Sequence, residues 1–527
     1  MGGALYAIAF PNPLNNGFYI THLIGMFLFV SALFELALEL KRPLVKMILA
    51  GLAFSMGLNL IGYYWIPHTL KEFGQIPPPL NWLLGLFFTF IILPYLWPVV
   101  FVVYKLRGRL TNYLEKTSFM VFFSALFTLS ESIVPQQFPG HLGHGFLNFA
   151  PYLGLAPIFG AKAFSFFGFL ACTLVFQYRR YKTLAPVSSM IIVLFTLLNF
   201  LWPIEKKPTQ GHFNLRIVQA NIGNFMKLDS ENGGTNSIAA VIKRYKDLSL
   251  GDPNFSPDLI VWPETAYPFA INSEKMQKDL WTVPPVMREI ISKTQSELLF
   301  GGYDQLTFPP VPENPYFEAE FNSAILLGKK ALTKEKYHKH LLIPFGETLP
   351  FGPLTELASR YLKNVSFFAR GERFPTFELD NGIQFVTPIC YEILYSSFIK
   401  GMIDLEKYPE FIVNLTNDSW YGDTAEPYQH LFLAKWRAIE FGIPIIRSTN
   451  TGITSIISSD LSESPRIGIG EQRFLDLKTP IEQTAPTLFA KYGATLWQAL
   501  ALLLFLLEVF WQKRKIRQDS KETPVSQ

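Results

Sequence analysis

Long apolar stretches crowd the first 203 residues, and the spacing of apolar positions changes abruptly after Pro203. A helix needs about 20 apolar residues to cross the core of a bilayer. Runs of that length fall at 17–38, 45–66, 80–104, 117–134, 155–178, 186–203 and 493–511, which predicts seven membrane-spanning helices. Residues 4–10, "ALYAIAF", are apolar but too short to span unless flanking residues also enter the membrane. No basic region or small-residue cleavage site accompanies that first run, so no cleaved leader is expected. Beyond Pro203 the apolar runs shrink to strand length, at 213–219, 257–262, 297–303, 322–328, 383–389, 410–416, 443–449 and 453–458. Helical periodicity appears between them at 235–248 and 428–441, the latter placing Leu431, Ala434, Ala438 and Phe441 on one face. Strands alternating with helices predict a layered α/β domain with buried sheets. The expected organisation is a helical bundle over 1–203, a globular domain over 204–490, a closing helix over 491–512 and a polar tail over 513–527.

Composition strengthens the membrane reading. The chain is 49% hydrophobic and 17% charged, with 49 phenylalanines among 527 residues, which is too apolar for an ordinary soluble enzyme. Its basic residues cluster in alternate connections: Lys41, Arg42 and Lys46; Lys105, Arg107, Arg109 and Lys116; Arg179, Arg180 and Lys182; then Lys513, Arg514, Lys515 and Arg517. The intervening connections at 67–79 and 135–150 carry almost no positive charge. Short basic loops stay in the cytoplasm, so the domain over 204–490 is expected on the opposite face. This loop bias accounts for most of the net charge of +4, and no nucleic-acid surface is expected. Charges inside the spans are too few to suggest a transport path. Trp65, Trp82 and Trp97 read as interface or bundle anchors.

The chain has only two cysteines. Cys172 lies inside an apolar span and reads as packing, whereas Cys390 ends the strand-like run in "IQFVTPICYE". Two more chemically active residues stand near strand ends: Glu264 follows "LIVWP", and Lys339 lies in "KYHKHLLIPFGE". A carboxylate, an ammonium and a thiol in one crevice would form a nucleophile set. The thiolate attacks a carbonyl, the carboxylate carries the proton, and the ammonium stabilises the oxyanion and lowers the thiol pKa. Polar residues at strand ends are also commonly just solvated, and position alone leaves both readings open. His338 and His340 flank the lysine and read as orienting or packing groups. His141 and His144 lack a third ligand nearby, so no metal is expected there and an interfacial loop is preferred.

Four segments, "VWPETAYP", "KYHKHLLIPFGETLPF", "TPICYEILY" and "NLTNDSWYGDTAEPYQHLFLAKWRAIEFGIPIIRSTNTGIT", together resemble the nitrilase superfamily. With the apolar bundle attached, the chain looks like the superfamily's membrane-embedded branch, the apolipoprotein N-acyltransferases. That resemblance implies an α/β four-layer α-β-β-α sandwich inserted in a multi-span α-helical membrane bundle. It makes Glu264 the general base, Lys339 the oxyanion-stabilising lysine and Cys390 the nucleophile. Glu347 would support them, and Tyr391 and Glu392 follow the nucleophile, where a backbone N–H can join the oxyanion hole. Asn417, Asp418 and Trp420 match an "NDxW" segment that shapes the acyl site. The implied reaction moves an acyl chain from a phospholipid, most often phosphatidylethanolamine, through a Cys thioester to the N-terminal amine of a diacylated apolipoprotein. It needs no metal and no organic cofactor. The implied setting is the bacterial inner membrane, multi-pass, with the catalytic domain on the periplasmic side, and a monomer is expected. The competing reading is a membrane-tethered amidase or lipid hydrolase of the same superfamily. Residues 351–374, with Phe351, Leu354, Leu357, Tyr361, Phe367 and Phe368, read as a lid or arm at the lipid interface, or else as an ordinary core helix.

Overall fold

The computed structural model describes residues 1–13, 20–72, 74–114, 117–182, 186–307, 318–344, 346–348 and 368–503, together with 506 and 510. The chain divides into two compact units. One comprises residues 1–64, 83–204 and 491–527; the other comprises 65–82 and 205–490. Residues 65–82 therefore group with the globular unit, although the apolar pattern counts them within the bundle.

The first unit is helical. Its main helices are Gly2–Ile8, Thr21–Ala37, Pro43–Gly62, Leu96–Leu114, Thr117–Ile133, Ala161–Tyr181 and Pro186–Leu201. The short first helix is buried because glycines let backbones touch. A Cβ on Gly3 would lie 1.8 Å from the Phe54 carbonyl oxygen, and one on Gly25 would lie 2.4 Å from that of Gly2. Among the described residues, two helices, Pro43–Gly62 and Ala161–Tyr181, are long and apolar enough to cross a membrane, and four shorter apolar helices accompany them. The expected single span over 80–104 is broken into Leu80–Phe87, a 3-10 turn Phe88–Phe90 and Leu96–Leu114. Pro94 lies in the break, where it lacks an N–H to donate and disfavours helix in the residue before it. His141 and His144 are buried at 8% and 1% exposure, so the expected interfacial loop is interior. Cys172 is buried too, its thiol 3.5 Å from the Leu23 carbonyl oxygen.

Among the described residues the second unit holds twelve strands in two mixed sheets. Strands β1 (Thr209–Gln219), β2 (Leu259–Val261), β3 (Ala270–Ile271), β4 (Glu297–Thr307), β5 (Glu318–Leu327) and β6 (Thr333–His338) belong to the first. Strands β7 (Phe377–Glu378), β8 (Gln384–Val386), β9 (Phe411–Thr416), β10 (Ile445–Thr449) and β11 (Ser455–Ile457) form the second, in the order β11-β10-β9-β8-β7. The last strand, β12 (Arg473–Glu482), returns to the first sheet, whose order is β12-β1-β2-β4-β5-β6 with β3 paired to β4. In both sheets a parallel centre carries antiparallel edges.

The two sheets face each other, with the rings of Phe213 and Phe411 5.2 Å apart between them. On the outer face of the first sheet, Ile260, Trp262, Leu298 and Phe300 pack with Val241 and Tyr245 of helix Thr235–Leu250 and with Met287 and Ile290 of helix Pro285–Thr294. Helix Glu426–Phe441 starts with Pro427 in its first turn and stops at Gly442, which has φ 61°. It was expected to bury one face, but Leu431, Phe432, Trp436, Arg437 and Glu440 are all buried. Arg437 and Glu440 form an ion pair at 2.7 Å, and Arg437 Nη1 donates to the Leu394 carbonyl at 2.8 Å.

Candidate active site

Three chain reversals at the carboxyl ends of parallel strands build the site, the position where open α/β sheets commonly bind ligands. Glu264 follows β2, Asn417 and Asp418 follow β9, and Cys390 follows β8. Lys339 enters from the end of β6. All five are buried, at 6% exposure or less.

Space for Glu264 is made by Gly301 in the middle of β4. A Cβ on Gly301 would stand 2.4 Å from the Pro263 carbonyl oxygen and 2.6 Å from the Glu264 Cα. The close approach is closed by hydrogen bonds, from Gly301 N–H to the Pro263 carbonyl at 3.1 Å and from Ala266 N–H to the Gly301 carbonyl at 2.9 Å. Lys339 Nζ then donates to Glu264 Oε1 and to Glu347 Oε1, each at 2.9 Å. Asn322 Nδ2, from β5, donates to the same two oxygens at 2.8 Å each. The second oxygens are occupied as well: Asn417 N–H donates to Glu264 Oε2, and Ile343 N–H donates to Glu347 Oε2, both at 2.9 Å. Burial alone would push the Lys339 ammonium down, but the two carboxylates outweigh it and hold its pKa well above the usual lysine range.

Cys390 begins a 3-10 turn, Cys390–Leu394, with φ 52°. This left-handed backbone is uncommon for a residue with a side chain. It is enforced by the next strand: Asn414 Nδ2 donates to the Pro388 carbonyl at 3.1 Å and to the Cys390 carbonyl at 3.4 Å. Burial, followed by the charge of Glu264, pushes the thiol well above its ordinary pKa, and Lys339 pulls it the other way. The net direction reverses the expected lowering by the lysine, because burial and the Glu264 charge outweigh the ammonium. At neutral pH the side chain is a thiol beside a carboxylate able to take its proton.

Glu392 has a different task. Its carboxylate accepts from Tyr337 Oη (2.9 Å) and from the backbone N–H groups of His340 (2.7 Å), Leu341 (3.0 Å) and Ile389 (2.8 Å). It ties the Cys390 turn to the chain after β6. Its own N–H donates to the Ile389 carbonyl at 3.2 Å, so that group is committed to the turn and not to an oxyanion hole. Tyr391 pairs its hydroxyl with that of Tyr395. Both tyrosines line a cavity of about 430 Å³ together with Leu341, Leu342, Arg370 and Phe398. Of the segment 351–374, Phe351, Leu354, Leu357, Tyr361 and Phe367 lie outside the described residues. Phe368 stacks on Tyr303 with ring centroids 5.6 Å apart.

Asp418 is held by Arg447, whose Nη2 donates to Oδ2 at 2.9 Å. Burial opposes the Asp418 charge, but Arg447 and His430 outweigh it and keep the carboxyl below its usual range. Asp418, Glu426 and His430 each bring one possible metal ligand atom within 4.8 Å of the others. The Arg447 charge opposes a cation at that spot, so the trio reads as a polar network around the guanidinium. Trp420 stands half-buried in the turn that follows, where Tyr421 N–H donates to the Asp418 carbonyl at 3.1 Å.

Comparisons with known proteins bear on what this arrangement belongs to. Residues 215–470 match the carbon-nitrogen hydrolase family, and residues 2–174 match the apolipoprotein N-acyltransferase N-terminal domain. The apolipoprotein N-acyltransferase of Bdellovibrio bacteriovorus is 28% identical, over 88% of this chain and 86% of the relative. That of Haemophilus ducreyi is 25% identical, over 88% of each. The chain belongs to the apolipoprotein N-acyltransferase family. Among solved structures, an amidase from Nesterenkonia sp. is 16% identical and covers 52% of this chain and 93% of its own, with a TM-score of 0.34. In this N-acyltransferase-family chain the carbon-nitrogen hydrolase match gives the second unit a nitrilase-like fold, and both edges of the candidate site fall inside it. Asn322, Gly301 and Arg447 are the site residues that sequence reasoning missed. Two carry a visible signal: an Asn inside the apolar run "FNSAILL", and a Gly pair inside the strand "LLFGGY".

Proposed function

We propose that this protein transfers an acyl chain from a phospholipid, through a thioester on Cys390, to the N-terminal amine of diacylglyceryl-cysteine on an apolipoprotein. The observation that carries the residue assignment is the buried Lys339, 2.9 Å from both Glu264 and Glu347, with the charges of all three acting on a buried thiol on a strained turn. In the first half-reaction the Glu264 carboxylate takes the Cys390 proton as sulfur attacks the donor ester. The C–S bond forms, the ester C–O bond breaks, and Glu264 returns the proton to the leaving glycerol oxygen, releasing a lysophospholipid. In the second half the amine attacks the thioester. The C–N bond forms, the C–S bond breaks, and the amine proton passes by way of Glu264 to the thiolate. Lys339 stabilises the oxyanion in both halves. Asn417, Asp418 and Trp420 shape the acyl pocket, and no cofactor takes part.

The first unit is read as the membrane anchor of a multi-pass inner-membrane enzyme. This is supported by Leu49, Leu60, Phe101, Leu197, Phe200 and Leu201, all more than 48% exposed on helices with little charge. The alternation of basic loops supports a periplasmic catalytic unit. We read the enzyme as a monomer acting on phosphatidylethanolamine and a diacylated acceptor.

The test supplies a labelled phospholipid with and without a diacylated lipopeptide. The expected result is an acyl adduct on Cys390, lysophospholipid release, and an N-acylated lipopeptide only when the acceptor is present. Cys390→Ser should abolish the thioester and Cys172→Ser should not. Stoichiometric free fatty acid regardless of acceptor would identify a hydrolase instead.

A further inference from the structure

Residues 65–82 lie, in sequence, between stretches of the helical unit, yet they group with the catalytic unit. Trp65 and the short helix Ile66–Glu72 lie against the turn after β9 and the start of helix Glu426–Phe441. The Trp65 indole meets the Tyr421 ring edge-on, with centroids 5.4 Å apart and planes at 84°. Its Nε1 donates to Gln429 Oε1 at 3.4 Å. His68 comes so close to Gly422 that a Cβ there would be 3.0 Å from Nε2. Asn81 Nδ2 folds the segment back by donating to the Pro67 carbonyl at 3.0 Å.

Trp65 is 2% exposed and Tyr421 is 8% exposed, so the pair forms a dry contact. Tyr421 closes the turn after β9, its N–H donating to the Asp418 carbonyl at 3.1 Å. In the same turn Asn417 N–H donates to Glu264 Oε2 at 2.9 Å, and Asn414 of β9 donates to the Cys390 carbonyl at 3.4 Å. An aromatic wall beside the thiol is therefore completed by a residue about 350 positions away in sequence. The indole hydrogen bond to Gln429 sets the orientation of that wall, which general packing would not require.

We propose that Trp65 is a positioning residue that holds Tyr421 as a water-excluding wall beside Cys390, and so sets how the acyl-thioester partitions between amine and water. The inference rests on the reading of Cys390 as the acyl carrier. Either nucleophile breaks the same C–S bond: the amine gives an amide and a free thiol, and water gives a fatty acid and a free thiol. Water is everywhere and the amine is scarce, so the outcome depends on how well water is kept from the thioester carbonyl.

The experiment forms the thioester from labelled phospholipid on full-length enzyme in detergent micelles. It then measures free fatty acid against acylated diacyl-lipopeptide, each per mole of thioester formed. Normalising in this way cancels any loss of folded enzyme. Trp65→Ala and Tyr421→Ala should raise the fatty acid share severalfold. Trp65→Phe, which keeps a ring and loses the bond to Gln429, should fall between them and the wild type. Trp281→Ala, at a residue 78% exposed, should leave it unchanged. If Trp65→Ala yields no folded protein, Tyr421→Ala decides. A wild-type ratio in the alanine variants overturns the inference; failure of the wild type to form any Cys390 adduct overturns instead the reading on which it rests.

Discussion

Cys390 is a poor nucleophile at rest, and that condition follows from its surroundings. Burial and the Glu264 charge raise its pKa, so little thiolate exists at neutral pH. Alkylation by iodoacetamide should therefore be slow at pH 7 and should accelerate only above the ordinary thiol range. Glu264→Gln removes a negative charge, so alkylation at a fixed pH should become faster while acyl transfer falls by about 10²–10⁴-fold. Lys339→Met removes the charge that favours thiolate, so alkylation should become slower. If Glu264 acted only through its charge on the thiol, both rates would rise together in Glu264→Gln. Two strained backbones flank the same pocket, with φ 52° at Cys390 and 46° at Thr265. Each costs on the order of 1–3 kcal/mol, which the surrounding strands sustain.

At the scale of elements, the site depends on how strands and turns are pinned to one another. Gly301 lets the Glu264 segment cross β4, and Gly301→Ala would place a methyl group 2.4 Å from a carbonyl oxygen. The variant should lose most of its acyl transfer, with a lowered melting temperature as the accompanying readout. Arg447 joins β10 to the turn after β9 through a fully buried pair with Asp418. Arg447→Leu leaves that carboxylate buried without its guanidinium and should cost about 3–5 kcal/mol in denaturant unfolding. Glu392 links the Cys390 turn to the segment after β6, and burial pushes its pKa up from 4.5 to about 7. A carboxyl with a raised folded-state pKa binds its proton more tightly in the native protein than in the unfolded chain. Its contribution is fully present below the unfolded value and is lost as pH rises through the folded value. Stability should therefore decline between pH 4.5 and about 7, and Glu392→Gln should flatten that part of the profile.

For the whole molecule, the alternation of basic loops argues for one arrangement across the membrane. A cysteine introduced at Ser526 in a Cys172→Ser background should react with a membrane-impermeant maleimide only after the inner membrane is opened. One introduced at exposed Trp281 should react in spheroplasts left intact. Labelling of both positions in intact spheroplasts would refute the proposed topology. Among the described residues, two helices are long and apolar enough to cross a membrane, and both fall within the region 2–174 that matches the apolipoprotein N-acyltransferase N-terminal domain or reach just past its end.

Periodicity is a local property, and what it determined was local. The eight predicted strand runs coincide with β1, β2, β4, β5 and β8 to β11, and both predicted helices of the catalytic unit are present. Strands β6 and β12 escaped because they are edge strands, where charged residues such as Lys334, Glu335 and Lys336 stay exposed or only partly buried and erase the apolar signal, and β3 and β7 escaped because each is two residues long. Glu264, Lys339 and Cys390 stood out by type and place near strand ends, and Glu347 through the family resemblance of the quoted motifs. Which atoms meet could be decided only in three dimensions. Asn322 bridging two carboxylates, Gly301 yielding space, Arg447 neutralising Asp418 and Trp65 reaching Tyr421 each join segments far apart in the chain. The net direction of the thiol pKa belongs to the same class, since it is the sum of burial and several charges at distances the sequence does not contain.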